Sequence, residues 1–252
     1  MQDYDKQLKE LQAKVGIGIG SDVTTSGEAV VFEILKQKIT PPYCIFDVGS
    51  NKGQFATLII DNIQFEYSSI HCFEPVKKTF EMLKDNINKR CIDKRIILNN
   101  IGIGSKEEKA TLYYDTEGSG LASLTRRKLD YANIYFNLFE KATISTIDGY
   151  CEKNSIDHIH LLKLDTEGHE LFALGGATNM LDKDNIDLIL FEFGGCNIDT
   201  RIFFKDFWYF LTGYNFRIYR ITPNSGVCYI PKYNEIHEQF RTTNYLATRK
   251  GV

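Results

Sequence analysis

The chain has little surplus charge of either sign: 30 Lys and Arg stand against 33 Asp and Glu, a formal net charge of −3. With a pI near 6.0, it lacks the basic face of a general nucleic-acid or anionic-membrane binder. The local exception is Arg126-Arg127-Lys128. No stretch approaches the roughly 18 apolar residues of a membrane-spanning helix. The six cysteines form no C-x-x-C pair and no zinc-like grouping, which excludes a disulfide framework. Cys44 and Cys72 sit in apolar runs, where a thiol acts as a small hydrophobe. Met1-Gln2-Asp3-Tyr4-Asp5-Lys6 is polar and carries no apolar signal core, so a cytoplasmic protein is expected. Internal repeats and low-complexity linkers are also missing.

Hydrophobic residues make up 43% of the chain and charged residues 25%, which is enough for a sizeable core. Residues 1–40 read as an N-terminal helical cap: a polar helix over Tyr4–Val15, a flexible glycine-rich connection at Gly16–Gly20, and a helix over Gly27–Ile39. Ser26 is the expected N-cap of that second helix, and Pro41-Pro42 ends it. Residues 41–252 then alternate short apolar runs with helical periodicity. Strands are expected at Tyr43–Val48, Ser69–Phe73, Arg95–Asn99, Ile159–Leu164 and Asp187–Glu192, and helices at Gln54–Asn62, Lys77–Lys89 and Glu170–Leu181. Continuous Ile/Leu/Val/Phe runs between helices are the mark of a parallel sheet buried on both faces, with right-handed crossovers. Ala110–Ile147 reads as an insertion between the third and fourth main strands. A helix over Thr200–Leu211 and strands at Phe216–Ile221, Val227–Ile230 and Tyr245–Thr248 suggest an antiparallel end to the sheet.

The most informative run is Asp47-Val48-Gly49-Ser50-Asn51-Lys52-Gly53, a strand, a tight turn and a helix start. Glycine there permits positive φ and close approach of a ligand, and the helix N-terminus favours an anion such as a methionine carboxylate. The spacing fails the dinucleotide G-x-G-x-x-G pattern, which argues against an NAD enzyme. It fits an acidic-x-G-x-G-x-G turn with Asn51 in the middle glycine's place, and asparagine tolerates left-handed backbone. Glu74, ending His71-Cys72-Phe73-Glu74-Pro75, is placed to accept hydrogen bonds from ribose hydroxyls. Asn100, Ile101 and Gly102 end the third strand and are candidates to border an adenine.

At the fourth strand end, Lys163-Leu164-Asp165-Thr166-Glu167-Gly168-His169-Glu170 gathers several ionisable groups. A hydroxyl attacking a methyl group must lose its proton, and a carboxylate or imidazole can take it. Asp165 and His169 are both candidate bases, with Glu167 orienting the histidine or binding substrate. A divalent metal held by Asp165, Glu167 or His169 with Glu192 fits the residue types, but no spacing requires it. His71, His158, His160 and His237 read as structural.

These runs, with Leu174-Gly175-Gly176-Ala177, Phe191-Glu192-Phe193, Ser26-Gly27-Glu28, Ala122-Ser123-Leu124, Thr146-Ile147-Asp148 and Asn244-Tyr245-Leu246-Ala247, resemble the FkbM family of methyltransferases. The resemblance implies a class I, Rossmann-like α/β fold: a mostly parallel seven-stranded sheet with helices on both faces and an antiparallel C-terminal strand. It also implies S-adenosyl-L-methionine as cofactor, S-adenosyl-L-homocysteine as product, and methylation of a hydroxyl. The acceptor is expected to be a sugar of a bacterial surface polysaccharide or glycolipid, or else a small natural product. The expected cofactor set is Asp47, Gly49, Ser50, Asn51, Gly53, Glu74, Pro75, Asn100, Ile101, Gly102 and Asp165. Acceptor contacts are expected from Ser123, Glu192, Asn197 and Arg201, in loops above the same sheet edge. A binding module that kept the fold and lost the reaction is the competing reading; homo-oligomerisation stays open.

Overall fold

The computed structural model describes residues 2–64, 66–224 and 226–249. In chain order the elements are α1 (Gln2–Lys14), α2 (Val30–Lys38), β1 (Tyr43–Val48), α3 (Gln54–Ile63), β2 (Tyr67–Phe73), α4 (Lys77–Arg90), β3 (Ile96–Asn99), β4 (Gly102–Ile103), β5 (Glu108–Tyr114) and β6 (Leu138–Ser145). They continue with α5 (Ile147–Asn154), β7 (Ile159–Leu164), α6 (Glu170–Gly175), α7 (Thr178–Asp182), β8 (Ile186–Phe193), α8 (Cys196–Thr200), α9 (Phe204–Gly213), β9 (Arg217–Thr222), β10 (Gly226–Ile230) and β11 (Thr243–Thr248).

The main sheet has the order β10-β9-β11-β8-β7-β1-β2-β3. Strands β3, β2, β1, β7 and β8 run parallel to one another, and β11 inserts antiparallel between β8 and β9. It is thus a class I, Rossmann-like sheet, but with eight strands rather than the expected seven. The strand anticipated at Val227–Ile230 is β10, which pairs with β9 as a hairpin from Gly226↔Thr222 to Ile230↔Ile218 and brings the total to eight. The antiparallel end is accordingly three strands wide.

Side-chain alternation along β1 divides the core. Cys44, Phe46 and Val48 face α5, α6, α7 and α9, while Tyr43 and Ile45 face α2, α3 and α4. Helix α3 presents Phe55, Ala56, Ile59 and Ile63 to that second layer, the stripe of an amphipathic helix. On the other side, Phe207 of α9 stacks on Phe191 with centroids 4.8 Å apart.

Several local expectations need correction. The helix anticipated over Glu170–Leu181 is two, α6 and α7, because Gly176 runs against the Gly104 carbonyl so closely that a Cβ there would lie 2.2 Å from it. The helix anticipated from Thr200 starts at Phe204, after left-handed Arg201 (φ 58°) closes the one-turn α8. Ser26 does not cap α2; Ala29 occupies that position, and the Ser26 hydroxyl donates to Glu28 at 2.8 Å. Helix α2 supplies five buried residues to the core. The Gly16–Gly20 connection is packed rather than flexible. Gly18 and Gly20 donate to the Thr242 carbonyl, and Cβ atoms at Gly16 and Gly27 would collide with the backbone of Ile221 and Thr222.

The insertion forms its own three-stranded sheet, β4-β6-β5. Its irregular middle, residues 115–137, returns over the tip of β7. Among the described residues no helix is long and apolar enough to cross a membrane.

Truncating the fully buried Phe207 to alanine removes its stack on Phe191, and a loss of about 3–5 kcal/mol is expected. Urea unfolding checks this; a loss below about 1 kcal/mol would contradict the packing described.

Candidate functional site

Parallel strands bring the tips of β1, β2 and β7 together, and the turn after β1 is held between them. The amides of Gly49 and Ser50 both donate to the Phe73 carbonyl at 3.0 Å. The Ser50 hydroxyl donates to the Asp47 carbonyl and accepts from the Phe73 amide, so this side chain builds the turn. Gly49, Asn51 and Gly53 all have positive φ, at 78°, 49° and 90°. A Cβ on Gly49 would lie 1.7 Å from the Asp165 carbonyl oxygen, which restricts the position to glycine.

Glu74 emerges from the tip of β2. Its two carboxylate oxygens accept from the amides of Asn51 and Val76 at 3.0 and 2.9 Å. Burial raises its pKa to about 7, against those hydrogen bonds. Glu74, Pro75 and Gly102 line an apolar cavity with Val48, Phe73 and Ile103. Asn100 and Ile101 do not join them. The Asn100 carboxamide donates to the carbonyls of Glu74 and Pro75, and Ile101 packs against the core. Both therefore shape the cavity wall from behind.

Asp47 does not open into a cavity either. It is fully buried, and among the described residues neither oxygen accepts a hydrogen bond. Its partner is Lys163 of β7, whose Nζ lies 3.3 Å from Asp47, 3.3 Å from Asp165 and 3.2 Å from the Gly49 carbonyl. Burial opposes the lysine's charge, but Asp165, Asp47 and Glu28 together outweigh it and hold the ammonium above its usual pKa. Sequence reading missed Lys163. The available signal was a lone charge inside Leu161-Leu162-Lys163-Leu164, since a buried lysine requires a counter-ion.

Beyond Asp165 the chain turns sharply, with Glu167 and Gly168 both at positive φ. Glu170 is fully buried and accepts from the amides of Thr166 and Gly168 and from the Thr166 hydroxyl, so it pins the turn. Glu167 is ion-paired with Arg127, which also reaches Asp199 at 3.4 Å. Burial and the charge of Asp165 raise Glu167 to about 8, against the pull of Arg127. Glu167 therefore does not orient His169. That role falls to Thr125, whose Oγ1 lies 2.9 Å from His169 Nε2, with Phe172 against the ring. Burial lowers His169 to about 4, leaving a neutral imidazole at physiological pH. Thr125 and Arg127 come from the insertion, 40 or more residues away in sequence, and no local pattern marks them.

The acceptor candidates divide. Ser123 lines the apolar cavity with Asp165, Glu167 and His169, but its hydroxyl donates to the Glu167 carbonyl at 2.9 Å. Glu192 is half-buried on the tip of β8, and burial together with Asp165, Glu167 and Glu170 pushes its pKa well above the carboxylate range. Asn197 is buried and accepts from the Gly194 amide, which makes it a brace for its own loop. Arg201 is exposed at the end of α8, away from the cavities.

Two cavities adjoin at Gly49, Asn51 and Asp165: the apolar one, and an open polar one of about 800 Å³. The polar cavity is walled by the β1 turn, the start of α3, Lys163 and residues 20–24 and 28. A third cleft meets the apolar cavity at His169, Leu124 and Ile144.

The group of donors close enough to hold a metal lies elsewhere, at the opposite end of β7: His158, His160 and Asp187. His158 pairs with Asp187 at 2.7 Å, and His160 Nδ1 accepts from the Cys44 amide. These histidines thus have partners that the sequence did not suggest. Asp165, Glu167, His169 and Glu192 form no such group among the described residues.

The profile of the Methyltransferase FkbM domain matches residues 47–218. The chain belongs to this family. The match contains the β1 turn, Glu74, the insertion and the β7 tip, and it leaves out residues 1–46. A hexuronic acid methyltransferase, AglP of Haloferax volcanii, is 27% identical over 165 residues, covering 65% of this chain and 62% of its own. Among solved structures, methyltransferase FkbM from Methylobacillus flagellatus KT aligns over 97% of this chain and 60% of its own, at 14% identity and a TM-score of 0.47. SMU.1697c from Streptococcus mutans, in complex with SAH, aligns over 88% and 97% at 8% identity and a TM-score of 0.48. This chain therefore spans about three-fifths of the length of AglP and of the Methylobacillus protein.

Gly49→Ala forces the tips of β1 and β7 apart and is expected to lower stability by about 2 kcal/mol or more. Gly213→Ala, which meets nothing within 4 Å, is the neutral control. Equal melting of the two variants would contradict the close approach at Gly49.

Proposed function

We propose that this chain is an S-adenosylmethionine-dependent O-methyltransferase that modifies a hydroxyl of a sugar in a surface polysaccharide, glycolipid or related glycoconjugate, and that it acts in the cytoplasm. Residues 41–252 form the methyltransferase domain in this reading, and residues 1–40 an accessory cap joined to it as one unit. The observation that carries the reading is the junction of two unlike cavities at Gly49 and Asp165. The first is narrow, about 70 Å³, and edged by Glu74, which places it at the ribose; the second is open, about 800 Å³, lined mostly by polar residues and set at a helix N-terminus, suited to an amino acid.

The residues fit the group. Gly49, Asn51 and Gly53 hold the turn in left-handed backbone along the polar cavity, and Glu74 stands at the rim of the apolar cavity with both oxygens already accepting amides, oriented for ribose hydroxyls. Gly49, Asn51, Gly53, Glu74, Pro75 and Gly102 would hold the cofactor, and when bound it supplies a methyl group on a positively charged sulfur. The rest falls to the chain's own side chains. His169 is neutral, positioned by Thr125, and shared by the apolar cavity and the neighbouring cleft. These features support it as the base that takes the acceptor hydroxyl's proton. Asp165 is engaged by Lys163 and supports the reacting end by charge. The similarity to AglP, a hexuronic acid methyltransferase, supports a sugar acceptor.

His169→Ala is expected to slow methyl transfer by about 10²-fold or more while leaving S-adenosylhomocysteine affinity unchanged. Glu74→Ala is expected to weaken that affinity by about tenfold or more. Calorimetry and a product assay with uronic and neutral sugar acceptors separate the two effects, and a His169→Ala enzyme of full rate would remove the histidine from the mechanism.

The pH profile provides a further check. Because burial holds His169 near 4, its proton-accepting form is populated throughout the neutral range. At saturating cofactor and acceptor, His169 should add no inflection to kcat as pH falls from about 8 to about 6; a change in that window that persists in His169→Ala belongs to the raised carboxylates of Glu74 and Glu167. An inflection near the ordinary histidine value, abolished in His169→Ala, would keep the histidine as the base and contradict its lowered pKa.

A further inference from the structure

Residues 20–28 lie outside the part of the chain that matches the family, yet residues 20–24 and Glu28 wall the polar cavity beside Gly49 and Lys163. They are held there by close backbone packing. The Gly20 amide donates to the Thr242 carbonyl, and Gly27 sits where a Cβ would lie 2.4 Å from the Thr222 carbonyl oxygen. Glu28 is thereby fixed against the cavity with 6% of its surface exposed, its carboxylate steered by the Ser26 hydroxyl at 2.8 Å.

The charges around this wall do not balance. Lys163 is fully engaged by Asp47, Asp165 and the Gly49 carbonyl. Glu28 is a third carboxylate within electrostatic reach of that one ammonium. Asp47 remains buried, with both oxygens accepting no hydrogen bond among the described residues. Buried carboxylates in excess of their cations are costly, and a second cation entering the polar cavity would relieve that cost.

We infer that Glu28 is a binding residue for the cofactor's amino-acid end: its carboxylate receives the α-ammonium group, while the α-carboxylate lies at the N-terminus of α3. The inference rests on the S-adenosylmethionine reading of the site. It assigns a ligand contact to a segment that precedes the family-matched residues. The specificity follows from charge: a ligand with the same nucleoside but no ammonium gains nothing from Glu28.

The test is calorimetry on the full chain with two probes, S-adenosylhomocysteine and 5′-methylthioadenosine, which lacks the amino-acid end. Glu28→Gln keeps the side chain's shape and removes its charge. It should lose about tenfold or more in S-adenosylhomocysteine affinity and bind 5′-methylthioadenosine as the wild type does, with unchanged melting. Ser26→Ala should give a smaller loss of the same selectivity. Equal S-adenosylhomocysteine affinity in wild type and Glu28→Gln would overturn the inference. So would a parallel loss for both probes, which assigns Glu28 to folding. A wild-type chain that binds neither probe is a different result: it would remove the cofactor reading itself, and this inference with it.

Discussion

Lys163 is the constraint around which the site is organised. Its ammonium sits inside the sheet, 3.3 Å from a carboxylate on β1 and 3.3 Å from one just past the end of β7. Taking such charges out of water is expensive, and removing one partner of a buried pair costs about 3–5 kcal/mol. The lysine therefore ties the two central strand tips together and fixes where Asp165 stands. The β1 turn follows from this. Gly49 must pass within contact of the Asp165 carbonyl, and its own carbonyl completes the lysine's shell.

A second set of contacts makes the insertion part of the site. The small sheet β4-β6-β5 carries a return segment whose Ser123, Thr125 and Arg127 hold Glu167 and His169. Each contact involves a group whose burial would otherwise be unfavourable, so the strained turn after β7 and the insertion stabilise one another. His169 owes its neutrality to this burial.

The N-terminal segment contributes in the same manner. Helix α2 belongs to the core on the α3 side of the sheet, and the glycines before it allow the chain to lie flat against the ends of β9 and β11. The N-terminal wall of the polar cavity is consequently held in place from the other end of the chain, with the Asn244 carboxamide of β11 donating to the Gly20 carbonyl at 3.4 Å.

What could be read from the residues alone was local. Apolar runs gave β1 and β7 their observed bounds, because a strand buried on both faces must be continuously apolar. Left-handed geometry at Asn51 and Gly53 followed from residue type, since few side chains tolerate it. Glu74 and His169 at the cavity rim followed from their place at strand ends, where a parallel sheet gathers its ligands. Partnership was not legible. That Asp47 faces Lys163, that Thr125 rather than Glu167 holds His169, and that Asn100 braces the end of β2 all depend on segments far apart in sequence. Only folding sets those distances, and hydrogen bonds and ion pairs act over a few ångströms. The sequence by itself determined which chemistry was present at each strand end; the tertiary structure decided which groups were already satisfied and which still face a cavity.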